Sequence, residues 1–338
     1  MKYLSFLIGC SFLLFTKNFC FSAVSIWSKV DDIAIASSKV EFWGRGVSWA
    51  NTSVVCAKGA CAYKDAMTKD LQKIFSSDEL KDRLPKELGV LIDAEWKKTA
   101  GYWAADLKTP SGLLAVLVTP QVFTNPSERL RMLSHEFTHL AHYKINPKEE
   151  GWVREGLAML VEHQVTGFLN PVLLAAKELP ETSLTESHDP GAPDYVKQEA
   201  NRAQYGHVLE YFYYLYRLCG AERFIEAVFN QAETSGVSTI DAALTIATAN
   251  VTIAPRECSD FKTSFTAFSK ARFMQSTSKP ANYVWLTSLR AKIRDSANDL
   301  PHPFPRYSSG AYRLKPGVKD CEKGDHAWGE ERCIRVRF

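Results

Sequence analysis

Residues 134–142 read Ser-His-Glu-Phe-Thr-His-Leu-Ala-His, three histidines and one glutamate within nine residues. Wound into a helix, His135 and His139 lie one turn apart on the same face, so both imidazoles can reach a single Zn²⁺ at about 2.0–2.1 Å. Glu136 is turned about 100° away from them. It can stand beside a metal without ligating it and take a proton from metal-bound water, whose pKa zinc lowers towards ~7. Alone, the His-Glu-x-x-His pattern is moderately specific and is also compatible with a plain helix surface.

A catalytic zinc takes three protein ligands and leaves one position open. The downstream segment 152–162, Trp-Val-Arg-Glu-Gly-Leu-Ala-Met-Leu-Val-Glu, offers Glu155. Residues 140–154 suffice to end the first helix, turn at Asn146-Pro147 and return a second, antiparallel helix past the histidines with Glu155 facing the metal. The metzincin arrangement needs glycine three residues after the second histidine and another histidine three later, and His142 and Ile145 stand there instead. His142 reads as a polar residue on the helix surface or beside the ligands. His163, one residue out of phase with Glu162, reads as exposed.

His-Glu-x-x-His followed by Trp-x-x-Glu-Gly-x-Ala-x-x-x-Glu resembles the gluzincin zinc metallopeptidases, and most closely the peptidase MA-like group, relatives of the aminopeptidase-type enzymes. The resemblance spans roughly residues 110–275. It implies that His135, His139 and Glu155 bind one zinc ion per chain, that Glu136 is general base and then acid, and that Glu162 orients a ligand histidine. It also implies a donor for the oxyanion. On residues 204–212 Tyr205 is the best match, with His207 as the weaker candidate close to the metal; Tyr211, Tyr213, Tyr214 and Tyr216 follow at the spacing of core residues. The apolar run 113–118 takes the place of the edge strand that pairs with an extended substrate in these enzymes.

Two departures stand out. Fifteen residues separate His139 from Glu155, fewer than in thermolysin or the large aminopeptidases, and Arg154 stands where those relatives often carry asparagine. The shorter spacing is shared with smaller members of the group. No Gly-x-Met-x-Asn segment, which aminopeptidases use to hold a free α-amine, precedes the motif, so cleavage within a peptide or protein is the expectation. The implied reaction is hydrolysis of peptide bonds by a zinc-activated water. Two alternatives stay open: a catalytically inactive protein of the same fold used for binding or adhesion, and a zinc hydrolase acting on cell-wall peptides. The retained Glu136 speaks against the first.

The elements that must position these groups are legible from periodicity. Helical spacing runs over 69–84, 127–144, 152–165, 204–219, 221–233, 239–248 and 260–273, with Asn125 or Ser127 able to cap the motif helix. The run 113–118, stopped by Pro120, reads as a buried strand. The expected class is α+β: a zincin-like, thermolysin-type core, mainly helical with a small mixed sheet, and a small disulfide-closed C-terminal region. The expected divisions are 1–23, 24–125 with the substrate-edge strand, 126–275 with the catalytic helices, and 276–338 ending in a hairpin between Cys321 and Cys333.

Residues 1–23 have the layout of a cleaved export signal: Lys2, an apolar run over 3–15, then small residues that suit a cut after Ala23 or Ser25. The apolar run is shorter than the ~20 residues that span a bilayer. Leu7-Ile8-Gly9-Cys10 looks like a lipoprotein box, but cutting there leaves too short an apolar region. Removal of residues 1–23 takes Lys2 and Lys17 and no acid, so the formal charge falls from +3 to +1, which gives no electrostatic reason to bind nucleic acid or an anionic membrane. Partners are sought in the site, as a peptide or protein substrate. Six cysteines remain after Cys10 and Cys20 leave, an even number that suggests disulfides in a secreted or periplasmic chain. Proximity suggests Cys56 with Cys61, Cys219 with Cys258 and Cys321 with Cys333 among the 15 pairings that six cysteines allow.

Overall fold

The computed structural model describes residues 27–45, 62–96, 101–168, 170–185, 194–249, 251, 254–273, 308–313, 321, 325–327 and 332–337. The segment 1–23 expected to direct export, with Cys10 and Cys20, lies outside the described residues, as do Cys56 and Cys61.

Strands β1 (Ser28–Ile35) and β2 (Ser38–Arg45) form an antiparallel hairpin whose register shifts between Lys29 and Asp31. Helix α1 (Ala62–Phe75) leads to β3 (Glu87–Asp93), parallel to β2. The helical spacing over 69–84 is only partly helix. The chain leaves α1 at Ser76-Ser77-Asp78, residues that favour turns, and Leu80 packs into the core from a turn. The apolar run 113–118 contains β5 (Ala115–Val118), parallel to β3. It is not the edge of the sheet. A two-residue strand, β4 (Gly101–Tyr102), pairs antiparallel to its outer side, giving the order β1-β2-β3-β5-β4. Two residues are too few to show any periodicity, which is why the sequence pattern points to β5 instead.

Helix α2 (Pro120–Thr124) precedes the motif helix α3 (Pro126–Ile145). Asn125 is the cap: its side-chain oxygen accepts from the backbone N–H of Ser127 at 3.2 Å and of Glu128 at 3.5 Å, and Pro126 occupies the first turn, where no N–H is needed. α3 lies on the sheet, with Leu133, Phe137 and Leu140 sharing one core with Val90, Val116 and Val118. Burying those three side chains contributes on the order of 5–9 kcal/mol, more than helix propensity differences supply. The sheet therefore decides which face of α3 turns inward.

Helix α4 (Gly151–Thr166) returns antiparallel to α3 and ends at Gly167 in the left-handed region. α5 (Val172–Glu178), α6 (Asp194–Leu218), α7 (Glu222–Phe229), α8 (Val237–Thr248) and α9 (Phe261–Phe273) complete the helical part. α4 and α6 cross closely at Gly156, where a β-carbon would stand 2.4 Å from the Phe212 ring. The glycine after Glu155 is thus a packing requirement. The fold is α+β, helical with a small mixed sheet, and no helix among the described residues is long and apolar enough to cross a membrane.

At the C-terminal end, β6 (Ser308–Arg313), β7 (His326–Ala327) and β8 (Arg332–Arg337) form an antiparallel sheet of order β6-β8-β7. The expected hairpin corresponds to β7 and β8, to which β6 adds a third strand that the sequence pattern did not reveal. Ile334 is buried and Val336 packs against the main core, so this sheet sits against α9. Cys219 and Cys258 are joined by a disulfide across 39 residues, tying the end of α6 to the short turn Arg256–Cys258. Cys321 is disulfide-bonded as well.

Closure of a loop of this length removes denatured-state entropy worth about 4 kcal/mol. Reduction, or the replacement Cys219→Ser, should lower the unfolding free energy in denaturant titrations by that order. An unchanged midpoint would show that the bond contributes nothing to stability.

Candidate metal centre

The turn between α3 and α4 sets how the two motif helices face each other, and a buried carboxylate latches it. Glu149 accepts from Asn146 Nδ2 at 3.2 Å, the Gly236 backbone N–H at 2.6 Å and Thr239 Oγ1 at 2.7 Å, while Asn146 Nδ2 also donates to the Thr234 carbonyl at 2.8 Å. The turn is therefore pinned to the start of α8.

Within this frame, His135, His139 and Glu155 bring one ligand atom each into a single cluster. His135 Nε2 lies 3.1 Å from His139 Nε2 and 3.3 Å from Glu155 Oε2, and His139 Nε2 lies 3.5 Å from Glu155 Oε1. Three donors held at ~2.0–2.1 Å from a tetrahedral ion are about 3.3 Å apart, so the separations fit such an ion. Glu162, buried and paired with Arg131 Nη1 at 3.1 Å, accepts from His135 Nδ1 at 3.1 Å. With one proton on Nδ1, His135 can offer Nε2 as a lone pair to a metal ion or hold a second proton there that it donates to Glu155. Positive charge between Nε2 and the carboxylate, from either source, satisfies both.

The electrostatics agree with the geometry. Burial alone would lower the His135 pKa, but hydrogen bonds to Glu155 and Glu162 outweigh it and raise it well above the ordinary imidazole value. Burial would raise the Glu155 pKa; the charges of His139 and His135 outweigh it and hold the carboxyl well below its usual range. The cluster favours positive charge, so a dication and protons compete for it. Glu136 stands beside the ligands and ligates none of them. Burial, only partly offset by the two histidines, raises its pKa above the usual carboxylate value.

The edge strand meets this centre at Gly101, where a β-carbon would stand 2.6 Å from Glu136 Oε1. A larger residue there would displace the Glu136 carboxylate from its present position. Trp103, just beyond β4, stacks towards His139 at 6.4 Å between ring centroids. Gly101, Trp103, Arg131 and Glu149 were not singled out in the sequence. Their contributions depend on neighbours distant in the chain, and no local pattern marks them.

Tyr205 reaches the centre from α6. It is 39% exposed and lies near Glu155, whose charge, with burial and Glu136, raises the phenol pKa far above its ordinary value. His207 does not join it. Two residues along a helix are about 200° apart, so when Tyr205 faces the metal ligands His207 faces away. His207 is fully buried, donates from Nδ1 to the Thr182 carbonyl at 2.6 Å and accepts on Nε2 from Arg272 at 2.9 Å. Arg272, also fully buried, bonds Glu210 Oε2 at 2.9 Å and the Ala176 carbonyl at 3.1 Å. This network ties α5, α6 and α9 together. Tyr211 and Tyr214 are core residues.

His142 also departs from expectation. It is 1% exposed, set edge-on against Phe229, and neither ring nitrogen has a hydrogen-bond partner among the described residues. Chiefly by burial, and also by the nearby His139 and Arg154, its pKa is pushed down to about 4. Helix geometry supplies the reason: α3 is packed on more than one side, so a position outside the ligand face is still interior. His163 is partly buried, bonded through Nδ1 to the Phe168 carbonyl at 3.0 Å and set against Tyr213.

The geometry defines a centre of two histidines and one carboxylate with a second carboxylate beside it. No protein-family model matches the sequence, and no curated protein matches it. Among solved structures the chain is similar to an aminopeptidase N family protein from Idiomarina loihiensis, with 12% identity, 78% of this chain and 40% of that chain covered, and a TM-score of 0.31. The chain thus spans two fifths of that protein's length. A likeness this weak carries no inference about activity, and the site's own geometry has to supply it.

Replacing Glu162 by Gln should weaken zinc binding roughly 10–100-fold, read by competition with a chromophoric chelator; equal affinity would mean that Glu162 does not orient His135. A neutral His142 resists protonation in the fold and accepts it when unfolded. Stability should therefore be complete above the ordinary pKa of 6.5 and fall as pH drops from there towards about 4. His142→Leu should flatten this limb of the stability–pH curve, and a curve of unchanged shape would exclude His142 as its source.

Proposed function

We propose that the chain is an exported, zinc-dependent metallopeptidase. The observation that carries this reading is the convergence of His135, His139 and Glu155 on one point, with Glu136 alongside and Glu162 setting the His135 tautomer. These residues would hold one zinc ion, which when bound supplies Lewis acidity to the reaction.

The chain's own groups do the rest. The edge strand β4 runs beside Glu136 and offers its backbone to an extended substrate, as a strand added to a sheet edge does. Glu136, its pKa raised above the usual carboxylate value by burial, accepts the proton of the attacking water and returns it to the leaving amine. Tyr205 keeps its proton because the phenol pKa is raised, and it donates to the oxyanion. Neither residue of β4, Gly101 or Tyr102, carries an acid to hold a free α-amine, which supports cleavage within a chain. The buried Cys219–Cys258 disulfide fits an oxidising compartment, in keeping with export through residues 1–23. In this organisation region 126–275 supplies the metal ligands and region 24–125 supplies the strand that faces the substrate.

Elemental analysis of the purified protein should find about one zinc per chain, sharply reduced in Glu155→Ala. Glu136→Gln should keep the metal and lose peptide hydrolysis by about a thousandfold or more. Zinc absent from the repleted wild type, or full activity in Glu136→Gln, would end this reading.

A further inference from the structure

A cavity of about 380 Å³ opens beside Glu155 and Tyr205. Trp152 and Val208 give it apolar surface, Thr185 and Gln204 give it polar surface, and Glu150 adds a carboxylate. Among the described residues no lysine, arginine or histidine lines it. Glu155 belongs to the metal cluster and Tyr205 lies against it, so Glu150 is the charge left to meet a ligand. Its carboxylate is held in place: Oε2 accepts from Trp152 Nε1 at 2.8 Å, and Oε1 lies against Gly236.

We propose that this cavity receives the substrate side chain next to the scissile bond, and that Glu150 makes it a subsite for a basic one, lysine or arginine. The inference deepens the peptidase reading and rests on it. Glu150 stands at the N-cap position of α4, five residues before Glu155 and about 7.5 Å away along the helix axis at ~1.5 Å per residue. A free α-amine lies only about 2.5 Å from the carbonyl carbon of its own residue, too close to reach from the metal to Glu150. The four-carbon stem of lysine, or the longer arginine side chain, spans that interval and leaves its cation at the carboxylate. Apolar walls suit those stems, which bury their methylenes and keep the charged end in a polar place.

The test uses the zinc-loaded wild type, Glu150→Gln and Glu150→Lys with peptides that carry Lys, Arg, Leu or Glu beside the scissile bond, each prepared both N-acetylated and with a free α-amine. Acetylation removes the α-amine as a source of the cation. The wild type should show kcat/KM about tenfold higher for basic than for acidic peptides, mostly through KM. That ratio should fall about tenfold in Glu150→Gln and invert in Glu150→Lys, with zinc content and melting curve verifying the fold of each. Thr185→Lys adds a cation to the same wall without touching the Trp152 contact and should lower the ratio as well. Equal cleavage of basic and acidic peptides by the wild type, or a ratio unmoved in all three variants, overturns the subsite while leaving the peptidase reading intact. Cleavage only of peptides with a free α-amine assigns the cation to the N terminus and also overturns it. A zinc-loaded protein that cleaves none of the peptides overturns the peptidase reading and this inference together.

Discussion

Lone pairs from two imidazoles and a carboxylate, held at about 3 Å from one another in a largely buried place, repel unless positive charge lies between them. The surrounding helices hold these groups together. Glu162 and Arg131 fix one ring, the Glu149 latch fixes the turn that joins the two helices, and Gly156 lets α4 approach α6 closely.

The sheet contributes in a different way. β5 is buried on both faces, under α3 on one side and within the Trp27, Trp43 and Trp96 cover on the other, and it serves as scaffold. The outer strand of the sheet is the two-residue β4, whose glycine brings backbone close to the Glu136 carboxylate. Burial of that carboxylate raises its pKa.

Behind the centre, α6 connects two buried systems of opposite character. Its outward turn carries Tyr205 to the metal ligands, while its inward turn carries His207 and Glu210 to a fully buried Arg272. A guanidinium deprived of water is tolerable only when its donors are satisfied, and here carboxylate, imidazole and backbone carbonyls satisfy them. The Cys219–Cys258 bond secures the end of the same helix. The position of Tyr205 therefore depends on packing far from the His135, His139 and Glu155 cluster.

The sequence by itself determined the motif helices and their candidate ligands, because residues four apart must share a helix face and because Asn125-Pro126 and Asn146-Pro147 punctuate the chain on either side of α3. The family resemblance pointed to Glu162, two turns beyond Glu155, and proximity suggested the pairing of Cys219 with Cys258 that the structure shows. Only the tertiary structure decided the rest. The burial of His142 depends on Phe229 across the core, the separation of His207 from Tyr205 depends on how α6 is rotated, and the identity of the edge strand depends on which segment reaches β5 from outside. Such contacts join residues far apart in the chain, and local periodicity carries information only about residues that a single helix or strand makes neighbours.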